Sequence, residues 1–212
     1  MKMFLQNIRQ ADTSAPVYAK VWVSIAVAVS GGLIGVFQKW LDGSAFNELP
    51  LLFQQLDLTN YFGRLAVWIL IAVFLSVYAK SPLRASVNTF LFFISMVSGY
   101  YAYCHFVLGF LPKSYMLLWI VLSFLSPLPA YICWYAKGRG TAAILISSVI
   151  SGVLFSQAFL ITQGFYITHL TEVITWGIAF LVLRRKPKEW VLVFGLSVIV
   201  AIVYQLVFPY WG

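Results

Sequence analysis

An all-α, polytopic transmembrane helical bundle of about seven spans is the fold this sequence predicts, and three observations predict it. The first is composition: of 212 residues, 62% are hydrophobic and 9% charged, whereas a soluble domain carries roughly 45–50% apolar and about 25% charged residues. A soluble fold of this size has too little interior to hide that much apolar surface. The second is the length of the apolar runs, several of which reach the roughly 20 residues a spanning helix needs. A β-barrel would show short alternating segments instead. The third is that the basic residues fall between the runs and favour alternate sides.

Taken in chain order, the spans are expected near residues 17–38, 61–79, 85–110, 114–135, 141–162, 165–183 and 190–209 of one transmembrane domain. The first apolar run exceeds the 7–15-residue core of a signal peptide and lacks a small-residue cleavage site after it, so it is read as a permanent span. Residues 39–60 form the one long connection. Within it Leu49, Leu52, Phe53 and Leu56 repeat at helical spacing after Pro50, with Glu48, Gln54, Gln55 and Asp57 off the stripe. This predicts an outer surface helix near 48–58. Arg64 interrupts the start of the second span, and Gln163-Gly164 alone separates the fifth from the sixth, which implies a tight connection.

Orientation follows from lysine and arginine. With the N-terminus cytoplasmic, Lys2, Arg9, Lys20, Lys80, Arg84, Lys137, Arg139, Arg184, Arg185, Lys186 and Lys188 lie inside, against Lys39, Arg64 and Lys113 outside. The C-terminus, ending in Tyr210-Trp211-Gly212, then lies outside. Tyr18-Ala19-Lys20, Tyr78-Ala79-Lys80 and Tyr135-Ala136-Lys137 recur at the inner boundary, where an interfacial aromatic beside a snorkelling lysine is a membrane anchor. The formal net charge of +8 is therefore a topology signal, and no nucleic-acid partner is expected.

Six acidic residues are present, and Glu172 alone is expected deep in a span, about seven residues into the sixth. A charge near the bilayer centre costs roughly 2.5–3.5 kcal/mol on insertion scales. Such a group is neutral, paired or facing water. His169 lies three residues earlier on the same helical face, and Thr168 and Thr175 flank the two. Arg64, Gln157, Tyr101 and His105 reach a similar depth from the outer side, so convergence of these faces predicts an outward-facing polar pocket for a substrate or ion. The competing reading is a structural pair of Glu172 with Arg64 or His169.

Near the inner side Arg84 and Asn88 share a face, as an inner gate or as an interhelical hydrogen bond. Pro127 and Pro129 remove two backbone donors near the middle of the fourth span and predict a helix break, a feature of transporters and also of spans with no transport role. Gly31 and Gly35 form a G-x-x-x-G step for close helix packing, within the protein or between protomers. No H-E-x-x-H, phosphate loop or G-x-S-x-G elbow occurs, and no metal-ligand spacing or cofactor motif is present, so no catalytic residue is assigned. Cys104 and Cys133 are placed near opposite membrane faces, too far apart to bridge.

The stretch Ser81-Pro82-Leu83-Arg84-Ala85-Ser86-Val87-Asn88-Thr89-Phe90, with Tyr135-Ala136-Lys137-Gly138, resembles small multi-pass membrane proteins of Gram-positive bacteria that have no assigned activity. The resemblance covers two short boundaries and implies a bacterial plasma membrane. Three functions are compatible with the residues: a small-solute or ion transporter or permease-like subunit, a non-catalytic accessory or sensor protein binding partner helices or copies of itself, and an intramembrane enzyme using His105, His169 and Glu172. The scarcity of polar groups disfavours the third.

Overall fold

The computed structural model describes residues 7–12, 14, 16–162 and 164–208. Lys2, Gln163 and the terminal Tyr210-Trp211-Gly212 lie outside them. Helix α1 spans Val17–Gly43 and is followed by a 3-10 turn at Phe46–Glu48 and two short helices, α2 (Leu51–Gln55) and α3 (Leu58–Tyr61). Then come α4 (Leu65–Val77), α5 (Pro82–Phe106), α6 (Lys113–Leu125), α7 (Pro127–Cys133) with a 3-10 turn at Trp134–Lys137, and α8 (Gly140–Ala158). A hairpin of β1 (Phe159–Leu160) and β2 (Tyr166–Ile167) leads to α9 (Leu170–Val182) and α10 (Pro187–Val207). Among the described residues the structure is mostly helical and that hairpin is the only sheet. Among them four segments are long and apolar enough to cross a membrane: α1, α6–α7 with its 3-10 turn, α8 and α10.

Two of the seven predicted runs are shorter helices than expected. α4 and α9 have 13 residues each, about 20 Å of helix against a hydrocarbon core of roughly 30 Å. α4 starts late because Arg64 is its extended N-cap residue. α9 starts late because the connection expected at 163–164 is longer: α8 stops at Ala158, and a hairpin turning at Gly164 (φ +103°) occupies the chain up to His169. Gln205 of α10 fastens this hairpin, donating to Ser156 O and Phe159 O and accepting from the amide of Ile161 at 3.0 Å. The expected surface helix near 48–58 is also divided, because Asp57 takes a left-handed conformation (φ 48°) between α2 and α3.

Many large apolar side chains face outward, and a set of small polar ones is buried. Val17, Trp22, Leu33, Leu117, Leu181, Val191 and Leu206 are exposed, while Ser76, Thr89, Ser147, Ser151, Ser156, Thr175 and Ser197 are buried. These small and polar residues share the interior with larger apolar ones such as Trp134, Phe92 and Leu154, and between helices in lipid close backbone approach and interhelical hydrogen bonds contribute to packing. The tightest seam joins α1 to α5. A Cβ on Gly31 would lie 2.3 Å from Phe92 O, and one on Gly35 2.0 Å from Met96 O. Gly152 serves α8 against α10 likewise, with Ser197 O 2.7 Å from its would-be Cβ.

One end of the bundle gathers the basic residues. Arg9 donates to Trp134 O (2.6 Å) and Val77 O (2.9 Å) and lies over the Trp134 ring, taking up carbonyls that helix ends leave free. Burial lowers the pKa of that guanidinium. Asp12 pairs with Lys80 at 2.5 Å, and the amide of Arg139 donates to Ile8 O. Arg185 holds Ala136 O, Gly138 O and Glu189. The opposite end carries the 44–64 connection, the hairpin and the N-terminus of α9.

Candidate functional site

At that opposite end Arg64 and Glu172 meet. Glu172 is the third residue of α9, not a residue at mid-span, and is 2% exposed. The first turn of a helix presents free amides and the positive end of its dipole, which favour a carboxylate. Arg64 Nε lies 2.5 Å from Glu172 Oε1, its Nη2 donates to the Thr171 hydroxyl at 3.0 Å, and its Nη1 reaches Asp57 at 3.3 Å. Thr171 donates in turn to Glu172 Oε2 at 2.8 Å. Beside this cluster Tyr61 and Thr175 share a 2.6 Å hydrogen bond. Desolvation raises the Tyr61 phenol above its ordinary pKa, so the phenol keeps its proton. The arrangement is a closed clasp tying the start of α4 to the start of α9.

The other residues expected to converge on Glu172 do not form one pocket with it. His169 is the extended, exposed N-cap of α9, so it shares no helical face with Glu172. His105 is exposed in the last turn of α5, against Phe106. Gln157 lies at the end of α8, its carbonyl accepting from the Thr168 hydroxyl at 2.5 Å. Tyr101 is buried on α5 and lines a different cavity. At the basic end Asn88 accepts from Ser24 at 2.8 Å, and Arg84 donates to Ser24 at 2.8 Å and to Lys20 O. Arg84 and Asn88 thus bind α1 to α5.

Pro127 separates α6 from α7. Its missing N–H leaves the Ser123 carbonyl without its usual donor, and the Ser126 hydroxyl supplies one at 2.7 Å. The Pro127 carbonyl accepts from Ser86 of α5 at 2.8 Å. Beside this break lies a groove of about 630 Å³ between α4, α5, α6–α7 and α8, with an almost wholly apolar lining that includes Ala72, Phe93, Leu122, Pro129, Ile146 and Val149. That volume falls within the 300–1,000 Å³ of ligand sites. A second cavity of about 40 Å³ adjoins it, lined by Gln38, Tyr100, Tyr101 and Tyr115, and the two share Trp68, Met96 and Trp119 as a common wall. Two lining residues, Tyr101 of the small cavity and Thr89 of the groove, have fully buried hydroxyls without a hydrogen-bond partner. Neither cavity is lined by Glu172.

Among the described residues no group of three His, Cys, Asp or Glu side chains is placed to hold a metal. Chemically, then, the structure offers a saturated ionic clasp and an apolar groove with a small cavity behind one wall. Thr171 and Tyr61 complete the clasp without having been singled out in the sequence, and Asp57, read there only as the polar side of a surface helix, joins them. The adjacency of Thr171 to Glu172 was the available signal. Compared with protein-family models, curated proteins and solved structures, the chain matches none.

Proposed function

We propose that the protein is a multi-pass, permease-like component of a bacterial plasma membrane that takes an apolar or amphipathic small solute into the groove beside Pro127, with the basic end in the cytoplasm. The observation that carries this reading is the groove itself: an apolar space of ligand size beside the point where Pro127 interrupts the hydrogen-bond ladder of α6–α7. The Glu172 region supports no solute site, because each guanidinium nitrogen and both carboxylate oxygens there are already engaged.

The clustering of Arg9, Lys80, Arg84, Lys137 and Arg185 supports a cytoplasmic basic end. Reporter fusions at Lys186 and Gly212 should report opposite compartments, inside and outside. For the activity, proteoliposomes holding the purified protein should move a fluorescent amphiphile faster than protein-free liposomes. Val149→Trp, which fills the groove, should abolish the difference while Glu172→Gln keeps it. Equal rates with and without protein defeat the permease reading. A groove that instead binds a partner helix would show as crosslinks through Val149 to another chain.

A further inference from the structure

We infer that Arg139, Arg184, Lys186 and Lys188 form a docking surface for the headgroups of anionic phospholipids, at the basic end beside α8 and α10. Most other cations of that end are already engaged. Arg9, Arg84 and Arg185 donate to backbone carbonyls, Lys80 pairs with Asp12, and Lys137 lies over the Tyr78 ring at 4.5 Å. Among the described residues there, the side chains of Arg139, Arg184, Lys186 and Lys188 make no such contact, and neither does that of Lys20 on α1. All four are exposed. Lys20 apart, the unengaged charge thus gathers on two connections, 137–140 and 184–188. A topology signal requires only that basic residues lie on one side of the membrane, so it does not account for the gathering.

Arg185 fastens the two connections to each other. Its side chain is 5% exposed and donates to Ala136 O and, at 3.3 Å, to Gly138 O, while its neighbours Arg184 and Lys186 stay exposed. α8 and α10 run side by side in the same direction, Gly152 against Ser197 and Ser156 against Gln205. That register sets Arg139, just before α8, beside Lys186 and Lys188 at the start of α10. Glu189, the one acid after Glu172 in the sequence, is taken by Arg185 at 3.3 Å. The four charges therefore repel one another without a carboxylate to offset them, and an anion relieves that repulsion.

The side chains next to the cations decide which anion. Val191, 75% exposed, stands three residues from Lys188 on the same face of α10, and Leu181, 62% exposed, stands three residues before Arg184 at the end of α9. A cation with a bare apolar side chain one turn away matches a molecule that has an anionic head and hydrocarbon chains. A soluble phosphate would use only the cation. Lys and Arg beside a membrane-spanning helix attract anionic lipid, each by roughly fivefold in affinity.

Full-length protein in neutral detergent, titrated with phosphatidylglycerol or phosphatidylcholine of the same acyl chains and read by native mass spectrometry, should retain the first about tenfold better or more. Raising the salt from about 50 to about 500 mM should shrink that preference. Arg139→Gln with Lys188→Gln should weaken phosphatidylglycerol about tenfold or more and leave phosphatidylcholine unchanged. Lys20→Gln with Lys113→Gln removes the same charge away from the surface and should change neither lipid. Both pairs of substitutions should melt with the parent, since the side chains they replace are unengaged.

Equal retention of the two lipids by the parent, or a preference untouched by salt, overturns the proposal. So does an equal loss from the two variant pairs, which would reduce the effect to net charge. Displacement of phosphatidylglycerol by an equal concentration of glycerol phosphate would assign the surface to soluble phosphates and end the lipid reading. The permease reading stands or falls separately, on Val149→Trp.

Discussion

Arg64 and Glu172 stand 108 positions apart in the chain, yet their side chains are joined at 2.5 Å and fix the starts of α4 and α9 against each other. Both helices have 13 residues, and their polar ends meet each other. The clasp explains how a carboxylate of 2% exposure is tolerated: it has a charged partner, a hydroxyl donor and the positive end of a helix.

Glu172→Leu should therefore destabilise the protein by about 2–3 kcal/mol, below the ~3–5 kcal/mol of a fully buried pair, because the Arg64 side chain is 22% exposed and keeps Asp57. Glu172→Gln, which retains an acceptor, should cost about 1 kcal/mol. Unfolding in detergent measures both. Equal losses for the two variants would show that charge contributes nothing.

The glycines divide into two classes. Gly35→Ala forces a Cβ against the Met96 carbonyl and should cost about 1–3 kcal/mol as overpacking. Gly195 meets nothing within 4 Å, so Gly195→Ala should be neutral or stabilise α10 by up to about 1 kcal/mol. The ratio of folded protein recovered for the two variants is the readout, and a tolerant Gly35 would contradict the seam.

Cys104 and Cys133 are free and buried. Cys104 belongs to the tyrosine-rich end of α5 and Cys133 to the basic end of α7. Intact mass after alkylation of unfolded, unreduced protein should show two added groups, whereas native protein should label slowly. A Cys104–Cys133 bridge would contradict the helix placement.

Asp12 accepts from Lys80 and Ser14, which hold its carboxyl well below the usual aspartate range. Since the folded pKa is depressed, its stabilising contribution is present above the unfolded value of about 3.9 and is lost as pH falls through the folded value. Carboxyl carbon shifts should show Asp12 still ionised where ordinary aspartates have protonated, and Lys80→Ala should return its titration upward.

Much of this was legible in the sequence. The described residues are mostly helical with four helices of spanning length, the Ser123 carbonyl opposite Pro127 takes its hydrogen bond from a hydroxyl, and Gly31 and Gly35 mark a seam. The hairpin was not legible: Phe159-Leu160 and Tyr166-Ile167 are apolar and continue the pattern of a span, while their turn depends on the positive φ of Gly164. That omission placed Glu172 too deep and put His169 on its face. The groove was also hidden, because periodicity reports which face of a helix is apolar and not where neighbouring helices fail to meet.

The seat of Arg9 has a consequence for how the chain is made. Its two acceptors include Trp134 O, 125 positions later, and Ile8 O waits for the amide of Arg139. At about 5–20 residues per second of translation, the contacts to Trp134 and Arg139 cannot close until roughly 6–25 s after residues 8 and 9 are made. That segment is thus fully locked only once α1 to α7 have been synthesised, and its docking marks that stage.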